Sequence, residues 1–266
     1  MIKSDSIKYL LAICCMSLAL VSLAQKQKKE KKERFPSYFG IVVSPVIPNN
    51  FIGKIHTTFK DSTQNMGVDF HNRWGYTFGA TARIGITKFL SIETGISQVR
   101  RHYTASVSIP DSGLYVSQKL AFINYDIPLN ALFYVKLSEK WYMDASLGVS
   151  LTHYPSDVQD TVLPKAKKTV VVQGARTNRT YFAINAGIGF ELRTEKAGTF
   201  FLGAGAKVPV KPPLFGVAIV KTSGMGNDYF AYKPLSAGYF TLDFKYFIPR
   251  IKLNKNKEQP NKSIIE

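Results

Sequence analysis

Nine charged residues share one phase of an alternating sequence, and they are the side chains best suited to acid–base chemistry. Four are cations and five are anions: Arg83, Arg193, Lys207 and Lys245, with Glu93, Asp126, Asp144, Glu191 and Asp243. Acids and bases held together in a confined site could move protons to and from a substrate. Charges withdrawn from water are more commonly kept by pairing with one another. We therefore expect ion pairs here and assign none of these residues a catalytic role.

Histidine is the other residue type that could support catalysis, for example in a lipid-modifying enzyme. The histidines outside the N-terminal segment are His56, His71, His102 and His153. Such an enzyme needs a nucleophile activated by histidine, and none of the four stands two residues from a serine on one strand face. Cys14 and Cys15 both lie near the N-terminus, and no phosphate-binding glycine loop or metal-ligand spacing is present. The sequence thus predicts no enzyme and no catalytic, cofactor-binding or metal-binding residue.

The stretch 74–96 contains two of the charged residues, Arg83 and Glu93, and its pattern predicts how they are positioned. Apolar residues alternate with small or polar ones from Trp74 to Ile86, which is typical of a β-strand. The alternation resumes a few residues beyond Lys88, which predicts an antiparallel hairpin with a very short turn. A register centred on Lys88 places Arg83 directly opposite Glu93.

The same alternation recurs along the chain and predicts strands separated by short turns and long loops. Eight strands are predicted: Tyr38–Ile47, Trp74–Ile86, Leu90–Ser108, Tyr115–Val135, Trp141–Thr152, Phe182–Arg193, Phe200–Val208 and Tyr239–Ile248. Pro45 and Pro48 are expected to end the first strand, and Pro110–Gly113 is expected to form a turn. Long polar loops are expected over 49–73, 155–178 and 212–235. An even number of strands, with short turns at one end and longer loops at the other, is typical of outer-membrane barrels.

Glycine indicates which face of these strands points inward. Nine glycines fall on the polar phase: Gly75, Gly79, Gly85, Gly95, Gly148, Gly187, Gly189, Gly203 and Gly205. On a solvent-exposed strand face they would weaken the strand without a gain, whereas inside a narrow barrel they make room for charged side chains. The apolar phase carries many aromatic rings, which would overfill such an interior but suit lipid. We therefore expect a membrane barrel, with a soluble lipocalin-like barrel as the alternative.

The N-terminal residues 1–24 are predicted to be a secretory signal peptide. Lys3 and Lys8 precede an apolar run that ends at Leu23, and Ser22 and Ala24 provide the small residues that cleavage requires. A transmembrane helix would need roughly 20 apolar residues, more than this run supplies. The mature chain would begin near Gln25.

The formal net charge of +17 is concentrated partly in two tails. Residues 25–34 hold six basic and two acidic side chains, and residues 249–266 hold five basic and two acidic ones. We expect these tails to be solvated and disordered, or alternatively to contact anionic lipid headgroups or another acidic periplasmic surface. Export and the position of the charge in tails argue against nucleic acid as a partner.

The segment Asn124-Tyr125-Asp126-Ile127-Pro128-Leu129 resembles a motif of the PorT-like outer-membrane β-barrel family, in which an acidic residue precedes Ile-Pro-Leu. The signal ending at Ala24 and the aromatic last strand, Tyr239 to Phe247, are similar to that family as well. Asp126 stands where glutamate is usual, Asn130 interrupts the apolar run, and the tail 249–266 extends past the aromatic terminus. The resemblance implies an outer-membrane barrel, and some members of the family are implicated in protein secretion across that membrane.

These features together predict an all-β fold, an eight-stranded antiparallel up-and-down transmembrane β-barrel of the outer-membrane type. The expected organisation is a signal peptide (1–24), a basic periplasmic linker (25–34), the barrel (35–248) and a basic C-terminal tail (249–266). Short connections place Lys88, Glu139 and Lys196 in the periplasm. Long connections place Lys165, Lys167 and Lys168, and the region of Gly224, outside the cell.

The expected function is a structural, interaction or secretion-associated role at the outer membrane. It would be exerted through external loops and periplasmic tails and not through an open channel, since eight strands enclose little free space. The expected partners are outer-membrane lipids and another envelope or secretion-system protein. The alternatives are a lipid-modifying enzyme, a small-ligand carrier and a soluble periplasmic lipocalin-like barrel.

Overall fold

The computed structural model describes residues 35–61, 65–162, 168–194, 196–222 and 228–249, without the side chains of 168 and 222. The predicted signal peptide, the basic linker and nearly all of the C-terminal tail lie outside these ranges, as do Lys165, Lys167 and Gly224. The strands of the described ranges are β1 (Tyr38–Pro48), β2 (His56–Asp61), β3 (Met66–Gly85), β4 (Leu90–Ile109), β5 (Leu114–Lys136), β6 (Trp141–His153), β7 (Val158–Val162), β8 (Lys168–Arg176), β9 (Thr180–Thr194), β10 (Gly198–Pro209), β11 (Leu214–Thr222), β12 (Tyr229–Leu235) and β13 (Tyr239–Phe247). Within the same ranges, no helix is both long and apolar enough to cross a bilayer.

Eight of these strands form an antiparallel, barrel-like sheet. Their order is β1, β3, β4, β5, β6, β9, β10 and β13. β1 pairs with β3 along one edge and with β13 along the other, so every strand of the eight has a neighbour on both sides. β2 adds to the end of β3. The predicted all-β antiparallel architecture is confirmed, and each of the eight predicted segments lies in a strand except for its last residue in two cases, Ile86 after β3 and Ile248 after β13.

Two of the predicted turns are present where the sequence indicated them. Between β3 and β4, Arg83 lies directly opposite Glu93, as the register centred on Lys88 predicted. Between β4 and β5, Pro110–Ser112 form one 3-10 turn that ends at Gly113 with a φ of 60°. This left-handed conformation suits glycine, which has no side chain to clash.

Pro45 does not end β1, contrary to the sequence-based prediction. The strand continues to Pro48, and Pro45 lies opposite Tyr76 on the β3 side. On the β13 side, Val43 and Val46 are both paired, but Pro45 between them is not. Proline has no N–H to donate to a sheet, and it is tolerated here because its position coincides with this gap.

Three connections that were predicted to be loops contain strands, so those predictions are wrong. β2 and the first part of β3 lie within 49–73, β7 and β8 within 155–178, and β11 and β12 within 212–235. β7, β8, β11 and β12 form a second sheet in the order β12, β11, β8, β7. These strands are short and flanked by prolines and lysines, a composition that is typical of loops.

The second sheet packs against β2 and against the parts of β3, β4 and β5 near residues 66–73, 101–109 and 114–124. We call this two-layered unit the sandwich. Its core consists of fully or nearly fully buried apolar residues, which include Met66, Val68, Phe70, Val107, Ile109, Leu120, Phe122, Val170, Val172, Leu214, Val220 and Leu235. Burial of this apolar surface is what holds the two layers together.

Two glycines of the second sheet allow the layers to approach closely. Gly216 on β11 faces Phe70, and a Cβ added at 216 would lie 2.7 Å from a ring atom. Gly174 on β8 faces Phe122 in the same manner, with an added Cβ overlapping the ring. Because both rings belong to the densely packed core, neither can move aside without opening it.

Gly216→Ala is therefore expected to lower the free energy of unfolding by about 1–3 kcal/mol, the usual range for overpacking. Urea unfolding of the purified protein measures this change. Gly67→Ala is the matched control, because its Cβ would meet mainly Ser108 Oγ, at 2.9 Å, and a serine side chain can rotate away. Combining Gly216→Ala with Phe70→Leu should recover part of the loss. Equal losses for the two single alanine variants would contradict the proposed clash.

Candidate functional site: buried charges inside the barrel-like sheet

The barrel-like sheet is apolar on its outer face and polar on its inner face. Its exposed side chains include Phe39, Ile41, Trp74, Phe78, Ile96, Leu129, Val149, Phe182, Ile188, Leu202 and Phe244. The inner face carries charged residues that are at most 6% exposed: Arg83, Glu93, Asp126, Asp144 and Glu191. In soluble proteins apolar residues are mostly buried and charged residues are mostly exposed. The predicted assignment of the two phases is confirmed.

Arg83 and Glu93 form the centre of a buried ion-pair network. Arg83 Nη2 and Nε donate to Glu93 Oε2 at 2.7 and 3.1 Å. Arg83 Nη1 donates to Glu191, which also accepts from Arg193. Lys245 donates to the other carboxylate oxygen of Glu93. Three cations therefore share two carboxylates, and each carboxylate is held by two cations.

This network crosses the interior and does not merely follow its wall. Arg83 is on β3 and Glu191 is on β9, and these strands are not neighbours in the sheet. Lys245 reaches Glu93 from β13, which is also not adjacent to β4. Such contacts fix the distance between opposite walls, because the ion pairs can form only when the walls are close.

Aromatic rings surround the cations of the network. The guanidinium carbon of Arg83 lies 4.3 Å from the ring centroid of Phe247. That of Arg193 lies 4.0 Å from Tyr142 and 4.1 Å from Phe35. These distances are within the range of cation–π attraction. Phe35 is also tied to the β3–β4 turn by a hydrogen bond from its N–H to the Thr87 carbonyl, at 3.2 Å, so rings fill the end of the interior that carries the short turns.

A second group of charges lies further along the interior. Asp126 accepts hydrogen bonds from Lys207 and from the Thr152 hydroxyl, the latter at 2.6 Å. A cavity of about 120 Å³ adjoins this group and is lined in part by Asp243. That volume accommodates water molecules. All four cations predicted to point inward thus have carboxylate partners, as expected. Asp144 is buried, and its Oδ2 has no hydrogen-bond partner within the described ranges.

The histidines lie at the sandwich or at its boundary with the barrel-like sheet. His56 Nδ1 is 3.1 Å from Asp69 Oδ2, and its ring stacks on His71 with 4.1 Å between centroids. Burial lowers the pKa of His71, His56 and Arg73 lower it further, and Asp69 opposes the shift. The remaining two, His102 and His153, contact the Trp74 carbonyl and the Thr180 hydroxyl. None of these partners is a serine, and no group of three or more potential metal ligands lies together in the described ranges.

Arg101 is an inward-pointing cation that the sequence reasoning did not include. It lies on β4 and is 2% exposed. Odd-numbered residues of β4 point inward, as the buried Glu93, Val99 and Tyr103 show. Arg101 also has an odd number, so following the alternation along this long strand could have identified it. Arg100, the adjacent basic residue, occupies the opposite phase and makes the pattern ambiguous.

The fold and the buried charges define an all-β protein with a barrel-like antiparallel sheet. Among solved structures, the chain is similar to the outer membrane protein OprG from Pseudomonas aeruginosa, with 12% identity and a TM-score of 0.49, over 80% of this chain and 96% of that chain. No protein-family model and no curated protein sequence matches this chain. The interpretation of the interior therefore depends on its own geometry.

Proposed function

We propose that this chain is an exported outer-membrane protein whose barrel-like sheet is a closed, eight-stranded transmembrane β-barrel. The observation that carries the proposal is the apolar outer face around a charged, paired interior. Water would disfavour such an extended apolar surface, whereas lipid requires it. A membrane-spanning backbone must also satisfy its own hydrogen bonds, and pairing of β1 with both β3 and β13 supports this.

The proposed role is structural, interaction-based or secretion-associated, without catalysis and without an open channel. The ion pairs that cross the interior and the rings around Arg193 support a filled lumen. The sandwich, the long connections and the tails are then the parts that meet partners. These partners are outer-membrane lipids and another envelope or secretion-system protein. We also propose that the chain is a member of the PorT-like family. Within the motif of that family, Asp126 pairs with Lys207 in the interior, while Ile127 and Leu129 face outward.

The protein is expected to fractionate with the outer membrane and to be heat-modifiable. An unboiled sample in detergent should migrate faster on a gel than a boiled one, because a closed barrel has no free edge at which detergent can open it. The boiled sample of the same preparation is the internal control. Recovery in the soluble periplasmic fraction, with equal migration before and after boiling, would favour the lipocalin-like alternative.

The proposed orientation places the short turns in the periplasm and the sandwich outside the cell. A single cysteine at Ser112, in the β4–β5 turn, should react with a membrane-impermeant reagent on intact cells. A single cysteine at Glu139, in the β5–β6 turn, should react only after the outer membrane is opened. Both positions are exposed, so accessibility of the side chain does not separate them. Labelling of position 139 on intact cells would reverse the orientation.

A further inference from the structure

Arg101 is a buried guanidinium group, and one of its edges has no hydrogen-bond partner in the described ranges. The side chain is 2% exposed, and its Nε and Nη2 have no hydrogen-bond partner in the part of the chain that the structure describes. These two nitrogens point their N–H groups in the same direction, along one edge of the guanidinium plane. That edge binds a carboxylate or a phosphate through two parallel hydrogen bonds.

Arg83 shows how this protein uses the same edge elsewhere in its interior. Its Nε and Nη2 both donate to one carboxylate oxygen, Glu93 Oε2, at 3.1 and 2.7 Å. Arg193, Lys207 and Lys245 likewise each contact a carboxylate. Arg101 differs from these four cations, because its Nε and Nη2 have no partner in the described ranges. A buried charge without a partner is strongly unfavourable, so an anion at this edge would remove a large penalty.

The surroundings of Arg101 favour an anion in a second way. The OH group of Tyr103 is also buried and also without a partner in the described ranges, and it can supply a further donor. The guanidinium carbon lies 5.3 Å from the Tyr103 ring centroid and 5.4 Å from the Tyr239 ring centroid, within the range of cation–π attraction. Tyr239 lines the cavity of about 120 Å³ in the interior. Arg101 and Tyr103 do not themselves line that cavity, so the guanidinium edge is separated from the carboxylates that do, Glu93, Asp126 and Asp243. Lys245 pairs with Glu93 and Lys207 pairs with Asp126.

We propose that Arg101, together with the Tyr103 hydroxyl, forms a binding site for a small oxyanion, a carboxylate or a phosphate, adjacent to the cavity lined by Tyr239. The two parallel donors of the guanidinium edge match two oxygens of one such group. A spherical halide has one acceptor atom, so it can meet both donors only at one point, as Glu93 Oε2 does at Arg83, and not through two parallel bonds. The site lies where the barrel-like sheet meets the sandwich, since Arg101 is paired with Phe122 of the sandwich core. Occupancy of the site would therefore tie the two parts together.

The test uses the full mature chain refolded in detergent and three probes at equal ionic strength: acetate, inorganic phosphate and chloride. Proton–nitrogen NMR follows the Nε–H signal of Arg101, which is assigned by its disappearance in Arg101→Lys. Acetate or phosphate should move this signal in a saturable manner, whereas chloride should not. A response to acetate alone identifies the ligand as a carboxylate, and a response to phosphate alone identifies it as a phosphate.

The variants separate a specific site from a general effect of salt. The urea unfolding midpoint should rise with the active anion in the unsubstituted protein and in Arg100→Lys, the matched control one residue away on the outward face. In Arg101→Lys the charge remains but the two-donor edge is lost, so the apparent affinity should fall on the order of tenfold. Tyr103→Phe should weaken binding less. No movement of the Arg101 signal with either oxyanion, or equal responses of Arg100→Lys and Arg101→Lys, would overturn the proposal.

Discussion

Glu93→Ala is expected to lower the free energy of unfolding by about 3 kcal/mol or more, the range found when one partner of a buried ion pair is removed. Glu93 is 3% exposed and accepts from both Arg83 and Lys245. Its loss removes the carboxylate that Lys245 contacts and leaves Arg83 paired with Glu191. Urea unfolding in micelles measures the change. Glu139→Ala, which removes an exposed carboxylate of the same type, should change the free energy by less than about 0.5 kcal/mol.

A double-mutant cycle determines how much of this effect belongs to the Arg83–Glu93 contact. Arg83→Ala and Glu93→Ala should be non-additive, with a coupling energy of about 0.5–3 kcal/mol. The combined replacement Arg83→Met and Glu93→Leu should be less damaging than Glu93→Ala. Both variants take Glu93 away from Lys245, but only the single variant also leaves the Arg83 guanidinium buried without that partner. Additive single effects would mean that the two side chains do not interact and that the network is held by Glu191 and Lys245 instead.

The hairpin contact between Arg83 and Glu93 could be predicted because a short turn fixes register and a two-residue period fixes the face. The contact between Arg83 and Glu191 could not. These residues are separated by 108 positions, and alternation indicates only that both point inward. Which side chains meet across the interior depends on its width and on the slant of the strands, and neither property is contained in a local pattern.

The sandwich escaped prediction for a different reason, which is visible in β3. Below position 73 the even-numbered Val68 and Phe70 are buried, whereas above it the even-numbered Tyr76 and Phe78 are exposed. The register with β4 shifts between Arg73 and Tyr76. A bulge inserts an extra residue and reverses which phase faces inward. Even-numbered residues of β3 therefore face the sandwich core before the bulge and face outward after it. For this reason the N-terminal part of the strand did not continue the alternation that identified its C-terminal part.

Phe122→Ala is expected to destabilise the sandwich by about 3–5 kcal/mol, as truncation of a buried phenylalanine usually does. The ring is fully buried, meets the Tyr103 ring edge-on at 5.3 Å between centroids, and abuts Gly174 of the opposite layer. Its removal leaves a cavity between the two sheets that glycine at 174 cannot fill. Limited proteolysis should then cleave within β7, β8, β11 or β12, and cleavage should be faster than in the unsubstituted protein.

The same variant should retain the difference in gel migration between unboiled and boiled samples, because the Phe122 side chain belongs to the sandwich core and not to the ion-pair network. Tyr115→Ala is the matched control on β5, since Tyr115 is 70% exposed, and it should leave both measurements unchanged. If Phe122→Ala abolishes the heat shift, the sandwich and the barrel-like sheet unfold as one cooperative unit. If it leaves protease resistance intact, the buried rings contribute less to holding the layers together than the pairing of the strands. Retained heat shift with lost protease resistance would show that the barrel-like sheet, with the network centred on Arg83 and Glu93, keeps its fold when the sandwich has opened.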